Sequence, residues 1–311
     1  MKALVGYTGF VGSNLYEQGT WDCAYNSKNI QEAYGTQPDL LVYAGVRAEK
    51  YLANQAPEQD LAQIMEAQEN IRKIAPRKLV LISTIDVFRI PKNVDETTAI
   101  ETNGLHPYGA NRYRLEQWVR AAYPDALIIR LPGLFGKNIK KNFIFDYLNV
   151  IPAMLKESKF RELSAMAPEL TQFYFRLDNG FFRAEIPQGK HETVKNIFRR
   201  LGFSALNFTD SRSRYQFYGL SNLWKDMNTV LDAGLTLWHP AAEPVAASEL
   251  YKYLSGDEFV NELPGTPADY DYRTIHAALF GGANGYIASK DQVMKGIKEF
   301  VTQFEASGRN L

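Results

Sequence analysis

Residues 1–15, MKALVGYTGFVGSNL, decide how this chain is read. The apolar run Ala3-Leu4-Val5 leads straight into Gly6-Tyr7-Thr8-Gly9-Phe10-Val11-Gly12, and Ser13-Asn14-Leu15 begins a helix. A strand, a tight glycine turn and a helix N-terminus in that order suit a dinucleotide pyrophosphate. Glycines let the backbone approach the phosphates, and the unpaired N–H groups at the positive end of the helix meet their charge. Gly6, Thr8, Gly9, Phe10, Val11 and Gly12 are therefore cofactor-binding candidates. A glycine triplet also serves ordinary turns between strand and helix, so other residues must decide.

The following segments repeat the alternation. Trp21 to Tyr25 reads as a second strand, and Leu40-Leu41-Val42-Tyr43-Ala44-Gly45 is a continuous apolar run of the kind buried on both faces of a parallel sheet. Its small last residues, Ala44 and Gly45, leave room for a ligand at the strand's C-terminal end, where open α/β sheets bind ligands. Pro57 to Ile74 carries Leu61, Ile64, Met65 and Ile71 at helical spacing, and Lys78 to Ile85 gives a fourth strand. This pattern predicts an α/β fold, a Rossmann-type doubly wound parallel sheet. The second strand ends in Asn26-Ser27-Lys28, where an acidic residue would mark a preference for NAD. An amide, a hydroxyl and an ammonium suit a 2′-phosphate instead, so the expected cofactor is NADP, with NAD as the alternative.

Composition sets the outer bounds. The chain has 311 residues, enough for one large domain or two modest ones, and 35 basic side chains balance 35 acidic ones. That balance argues against nucleic acid or a membrane surface as the main partner. A single cysteine, Cys23, leaves no intrachain disulfide and no cysteine metal cluster, and the expected compartment is the cytoplasm. No cleavable apolar leader precedes the first strand, and the four histidines lack metal-ligand spacing.

The chemistry concentrates beyond the fourth strand. Its end turns polar as Ser83-Thr84-Ile85-Asp86-Val87-Phe88, and His106-Pro107-Tyr108-Gly109-Ala110-Asn111-Arg112 opens a helix with proline in its first turn. Tyr108 and Arg112, four residues apart, share a helix face. A cation beside a phenol favours phenolate and lowers its pKa, which suits an acid or base, and Thr84 can share the reacting oxygen. The plainer reading of Arg112 is a surface residue paired with Glu116 one turn on.

Four features in order resemble the extended short-chain dehydrogenase/reductase superfamily, in its NAD-dependent epimerase/dehydratase branch. They are the glycine turn at Gly6, Gly9 and Gly12; Ser83-Thr84 followed by Val87-Phe88; the tyrosine of YxxxK at Tyr108; and Arg130-Leu131-Pro132-Gly133-Leu134-Phe135-Gly136. Asn70 also matches a family asparagine, and the likeness spans about the first 136 residues. The resemblance implies an NAD(P)-dependent oxidoreductase or epimerase acting on a nucleotide-activated sugar. Thr84, Tyr108 and Arg112 would be catalytic; Ser83, Leu131, Tyr108 and Arg112 would join the cofactor site; Thr84, Asp86 and Gly133 would meet substrate. It also implies a homodimer through helices 57–74 and 107–122. Arginine stands where the family has lysine: it keeps the charge but does not give up a proton, which leaves a catalytically weak or inactive NAD(P)-binding sensor or scaffold as the rival reading. Ile85-Asp86 in place of Asp-Glu disfavours elimination of water, and Gly133 stands where an asparagine is common.

Later texture divides the chain. A helix-like run extends from Phe143 to Leu155, a hairpin is expected over 172–186 with its turn at Asn179-Gly180, and a helix over 193–201. Arg273, near the end, is a candidate for substrate phosphates. The expected organisation is a dinucleotide-binding domain of 1–136 plus about 214–245, and a smaller discontinuous α+β substrate domain of about 137–213 plus 246–311.

Overall fold

The computed structural model describes residues 1–307. The chain folds into two compact units: residues 1–138, 214–245 and 269–296 form the first, and 139–213, 246–268 and 297 onward the second. The last four positions of the range 246–311 lie outside the described residues.

The first unit follows the expected alternation. In chain order it has β1 (Lys2–Val5), α1 (Phe10–Gln18), β2 (Cys23–Tyr25), β3 (Leu40–Tyr43), α2 (Lys50–Gln55), α3 (Pro57–Ile74), β4 (Leu79–Thr84), α4 (Pro107–Ala122), β5 (Leu127–Leu131) and β6 (Gly133–Phe135). Strand Leu237–Trp238 completes a six-stranded sheet that runs, from its other edge, β2, β1, β3, β4, β5 and then this strand. Every pairing in it is parallel. The doubly wound sheet is thus as the sequence indicated.

Side-chain alternation explains the two layers. Ala3, Val5, Leu41, Tyr43, Leu79 and Leu81 point to one face, where Ile64, Ile71, Leu115 and Val119 of α3 and α4 cover them. Leu4, Val42, Val80 and Ile129 point to the other, against Leu15 of α1 and Leu223, Met227 and Val230. Strands buried on both faces are apolar through their middles, as Ala3–Val5, Leu41–Tyr43 and Leu79–Leu81 are. Because β2 and β3 lie on opposite sides of β1, the chain reverses direction across the sheet between β1 and β3, the crevice where such sheets take ligands.

Residues 269–296, which the sequence grouped with the smaller part, pack in the first unit. Tyr272 is fully buried, and the Gln216 amide bonds both its carbonyl (2.9 Å) and its N–H (2.9 Å).

The second unit has its own apolar cluster around Leu155, Leu163, Leu170, Val194 and Phe198. Its three-stranded antiparallel sheet runs Met154–Lys156, Phe181–Ala184, Tyr174–Arg176, so the hairpin forms around Gly180 at φ +78°. The helix-like run from Phe143 to Leu155 breaks early. Its helix ends at Asn149, Val150 takes a left-handed φ of +66°, and Met154–Lys156 becomes a strand. Phe160 stacks on Phe182 with centroids 4.0 Å apart, so these aromatics are core.

Candidate active site

The glycine turn is a cradle that side chains would fill. Gly6 has φ +91°, and a Cβ there would sit 2.5 Å from the Ala44 carbonyl oxygen. At Gly12 a Cβ would lie 2.0 Å from the Gly6 carbonyl oxygen. Gly9 is the N-cap of α1, which has neither a side-chain cap nor an acidic residue in its first turn. Backbone N–H groups without a side-chain acceptor, at the positive end of a nine-residue helix, fit a pyrophosphate. Thr8 is exposed beside them, Phe10 and Val11 are half-buried against the core, and Ala44 and Gly45 continue from β3 alongside.

Beyond β2, the Asn26 side chain accepts the N–H of Lys28 at 2.8 Å, and Asn29 accepts that of Asn26 at 2.8 Å. These bonds shape the turn and leave Ser27 and Lys28 exposed.

Tyr108 lies in the first turn of α4, preceded by Pro107 and capped by His106, whose Nδ1 accepts the Gly109 N–H at 2.9 Å. Its own N–H donates to the Asn54 side chain at 3.0 Å. The phenol is buried, and the Thr84 side chain, at the C-terminal end of β4, lies close enough to act on its pKa, so the structure brings these two residues together. Thr84 also accepts the Asp86 N–H at 3.2 Å. Asp86 in turn accepts the Tyr270 hydroxyl at 3.2 Å and pairs with Lys50 at 3.0 Å.

Arg112 departs from its plainer surface reading and corrects one expectation. It is buried, not on the surface, and its partner is Asp60 of α3 rather than Glu116; each side chain is about 5–6% exposed. A second N–H of the guanidinium meets the Arg47 carbonyl, and the group lies over the Tyr108 ring, 4.1 Å from its centroid. The Tyr108 pKa is raised to about 12, not lowered. Burial of the phenol is the largest cause; Arg112 pulls the other way, and Asp86 and Asp60 add to the rise. Desolvation outweighs one cation whose charge is shared with a carboxylate. At neutral pH the phenol therefore holds its proton, ready to donate it.

Other candidates have different work. The Ser83 hydroxyl donates to Glu116 at 2.6 Å, and Glu116 grips Arg130 at 2.7 Å inside the protein. Leu131 is a core side chain. At Gly133 a Cβ would meet the Gln216 carbonyl oxygen at 2.9 Å, because β6 pairs with strand Phe217–Gly219, so crowding alone is enough to keep a side chain out. Arg273 donates to the Asn284 carbonyl at 2.8 Å, pairs with Asp271 at 3.1 Å and stacks on Tyr286, so its guanidinium is held by its own chain. Asn70 bonds Tyr34 and Tyr43 in the core. Lys50, Asn54 and Tyr270 were missed. Helix α2 is six residues long with only Ala53 buried, too short for a periodic signal.

Residues 4–156 match the model of the RmlD substrate binding domain. The resemblance to the epimerase/dehydratase branch is borne out in this RmlD-type segment. Across the whole chain, the fold is similar to dTDP-4-dehydrorhamnose reductase from Bacillus anthracis, solved with NADP: 17% identity, TM-score 0.61, 97% of each chain covered. It is similar to RMD from Pseudomonas aeruginosa, solved with NADPH, at 14% identity and TM-score 0.58, covering 98% of this chain and 99% of that one. UDP-glucose 4-epimerase from Thermotoga maritima, solved with UDP-glucose, shares 13% identity with TM-score 0.63, covering 99% and 100%. No curated protein matches the sequence. No helix of the described residues is long and apolar enough to cross a membrane, and no cluster of three or more His, Cys, Asp or Glu among them is placed to hold a metal ion.

Proposed function

We propose that this protein is an NADP-dependent reductase of a nucleotide-activated keto sugar, with Tyr108 as proton donor. The observation that carries this reading is the buried Tyr108 phenol near Thr84 at the C-terminal end of β4, in a sheet whose turn after β1 only glycine fits. The N–H groups of Phe10, Val11 and Gly12 would hold the pyrophosphate, and Ser27 and Lys28 the 2′-phosphate. A bound nicotinamide supplies the hydride. The Thr84 and Tyr108 hydroxyls orient the substrate's carbonyl oxygen, and the phenol gives that oxygen its proton as the C=O bond becomes C–OH.

Reduction is favoured over epimerisation because the phenol rests in its acid form, and because dTDP-4-dehydrorhamnose reductases recur among the similar structures. The sensor or scaffold reading is not favoured: these relatives are named as reductases and epimerases. A homodimer through α3 and α4, in the cytoplasm, completes the reading; Met65, exposed on α3, supports that face, and light scattering checks it.

Turnover is tested by following NADPH absorbance with a dTDP-4-keto-6-deoxy sugar. Loss of absorbance with formation of the hydroxy sugar is expected; tight NADPH binding without turnover on any keto sugar nucleotide would contradict the proposal. Lys28→Ala is expected to weaken NADP binding about tenfold while leaving NAD unchanged, as removal of one exposed phosphate-binding charge should. Calorimetry with both cofactors measures this.

A further inference from the structure

Tyr108 has charges on several sides, and they are not equivalent. From its own helix Arg112 covers the ring, already paired with Asp60 of α3. From the end of β4 come the Thr84 hydroxyl and the Asp86 carboxylate, and His106 stands at the helix cap with its ring centroid 6.2 Å from that of Tyr108. Tyr270 donates to Asp86, and the Tyr215 ring lies 6.3 Å from the Tyr270 ring. Of these, Asp86 is the anion that works against a phenolate and is not covered by Arg112. The ammonium on it comes from α2, 36 positions earlier: Lys50 Nζ is 3.0 Å from Asp86 Oδ1, and the Lys50 side chain is 40% exposed.

We propose that Lys50 is a positioning residue of this site: its ammonium pins Asp86 and offsets the carboxylate's charge beside Tyr108 and His106. Lys50 and the Tyr270 hydroxyl both meet Asp86 Oδ1, and together they give the carboxylate a fixed direction. One ion pair thus ties the short helix α2 to the end of β4. The inference deepens the reductase reading and rests on it only for the turnover measurement below.

His106 reports the pair without any cofactor. Its pKa lies below the usual 6.5, chiefly from burial and next from Lys50, while Asp86 acts in the opposite direction. The imidazole is followed by NMR against pH in the ligand-free protein, its signals identified by their loss in His106→Gln. Lys50→Gln is expected to raise the His106 pKa, because the ammonium is gone and the carboxylate acts alone. Asp86→Asn should lower it, and Lys50→Arg should keep the wild-type value. In the turnover assay, Lys50→Gln should lose activity and Lys50→Arg recover it. A His106 titration unchanged in Lys50→Gln overturns the proposal, as does full activity in that variant. A wild-type protein that turns over no keto sugar, yet shows the expected NMR shifts, sinks the reductase reading and leaves the Lys50–Asp86 linkage standing.

Discussion

Tyr108→Phe lowers the turnover of keto sugar by about 10²–10⁴-fold, the usual worth of a positioned proton donor, while NADPH binding and the melting temperature stay close to wild type. The expectation follows from what the hydroxyl does and what the ring does. The ring packs beneath the Arg112 guanidinium, and phenylalanine keeps that contact. The hydroxyl carries the proton, and phenylalanine removes it. Because the phenol's pKa is raised to about 12, wild-type activity should show no ionisation of Tyr108 between pH 6 and 9 in the free protein. A steady-state assay paired with a thermal melt separates the two effects. Wild-type turnover in Tyr108→Phe would remove this residue from the chemistry.

Asp60→Ala costs about 3–5 kcal/mol of stability, because it strands the Arg112 guanidinium without its carboxylate inside the protein. Asp60 also accepts the Asn111 side-chain amide at 2.8 Å, so one carboxylate fixes two neighbours of Tyr108 on α4. Replacing both partners, as in Asp60→Leu with Arg112→Leu, should recover much of the loss, since no buried charge is then left alone. Urea unfolding of the two single variants and the double variant measures the coupling. A single variant as stable as wild type would mean that the pair is not closed in solution.

What was legible in the sequence was local. The strands could be read because residues such as Leu4, between Ala3 and Val5, must be apolar when both faces are covered. The glycine turn was legible because a Cβ at Gly6 or Gly12 has nowhere to go. What failed depends on partners far along the chain. Arg112 and Asp60 are 52 positions apart, so helical spacing offered Glu116 instead, and Glu116 was already taken by Arg130. The rise in the Tyr108 pKa comes from burial, which a list of neighbours on one helix does not contain. Ser83 and Arg273 have the right chemistry for ligands, but Glu116, Asp271 and the Asn284 carbonyl use it first. At Val150 a β-branched residue takes a positive φ, against its local preference, and no sequence pattern announces that.

A crystal structure of the protein with bound NADPH tests the account most directly. The pyrophosphate should rest on the backbone N–H groups of Phe10 and Val11, with the nicotinamide against the Tyr108 phenol and the Thr84 hydroxyl. A nicotinamide lying away from Tyr108, or a dinucleotide bound elsewhere than the Gly6–Gly12 turn, would contradict it.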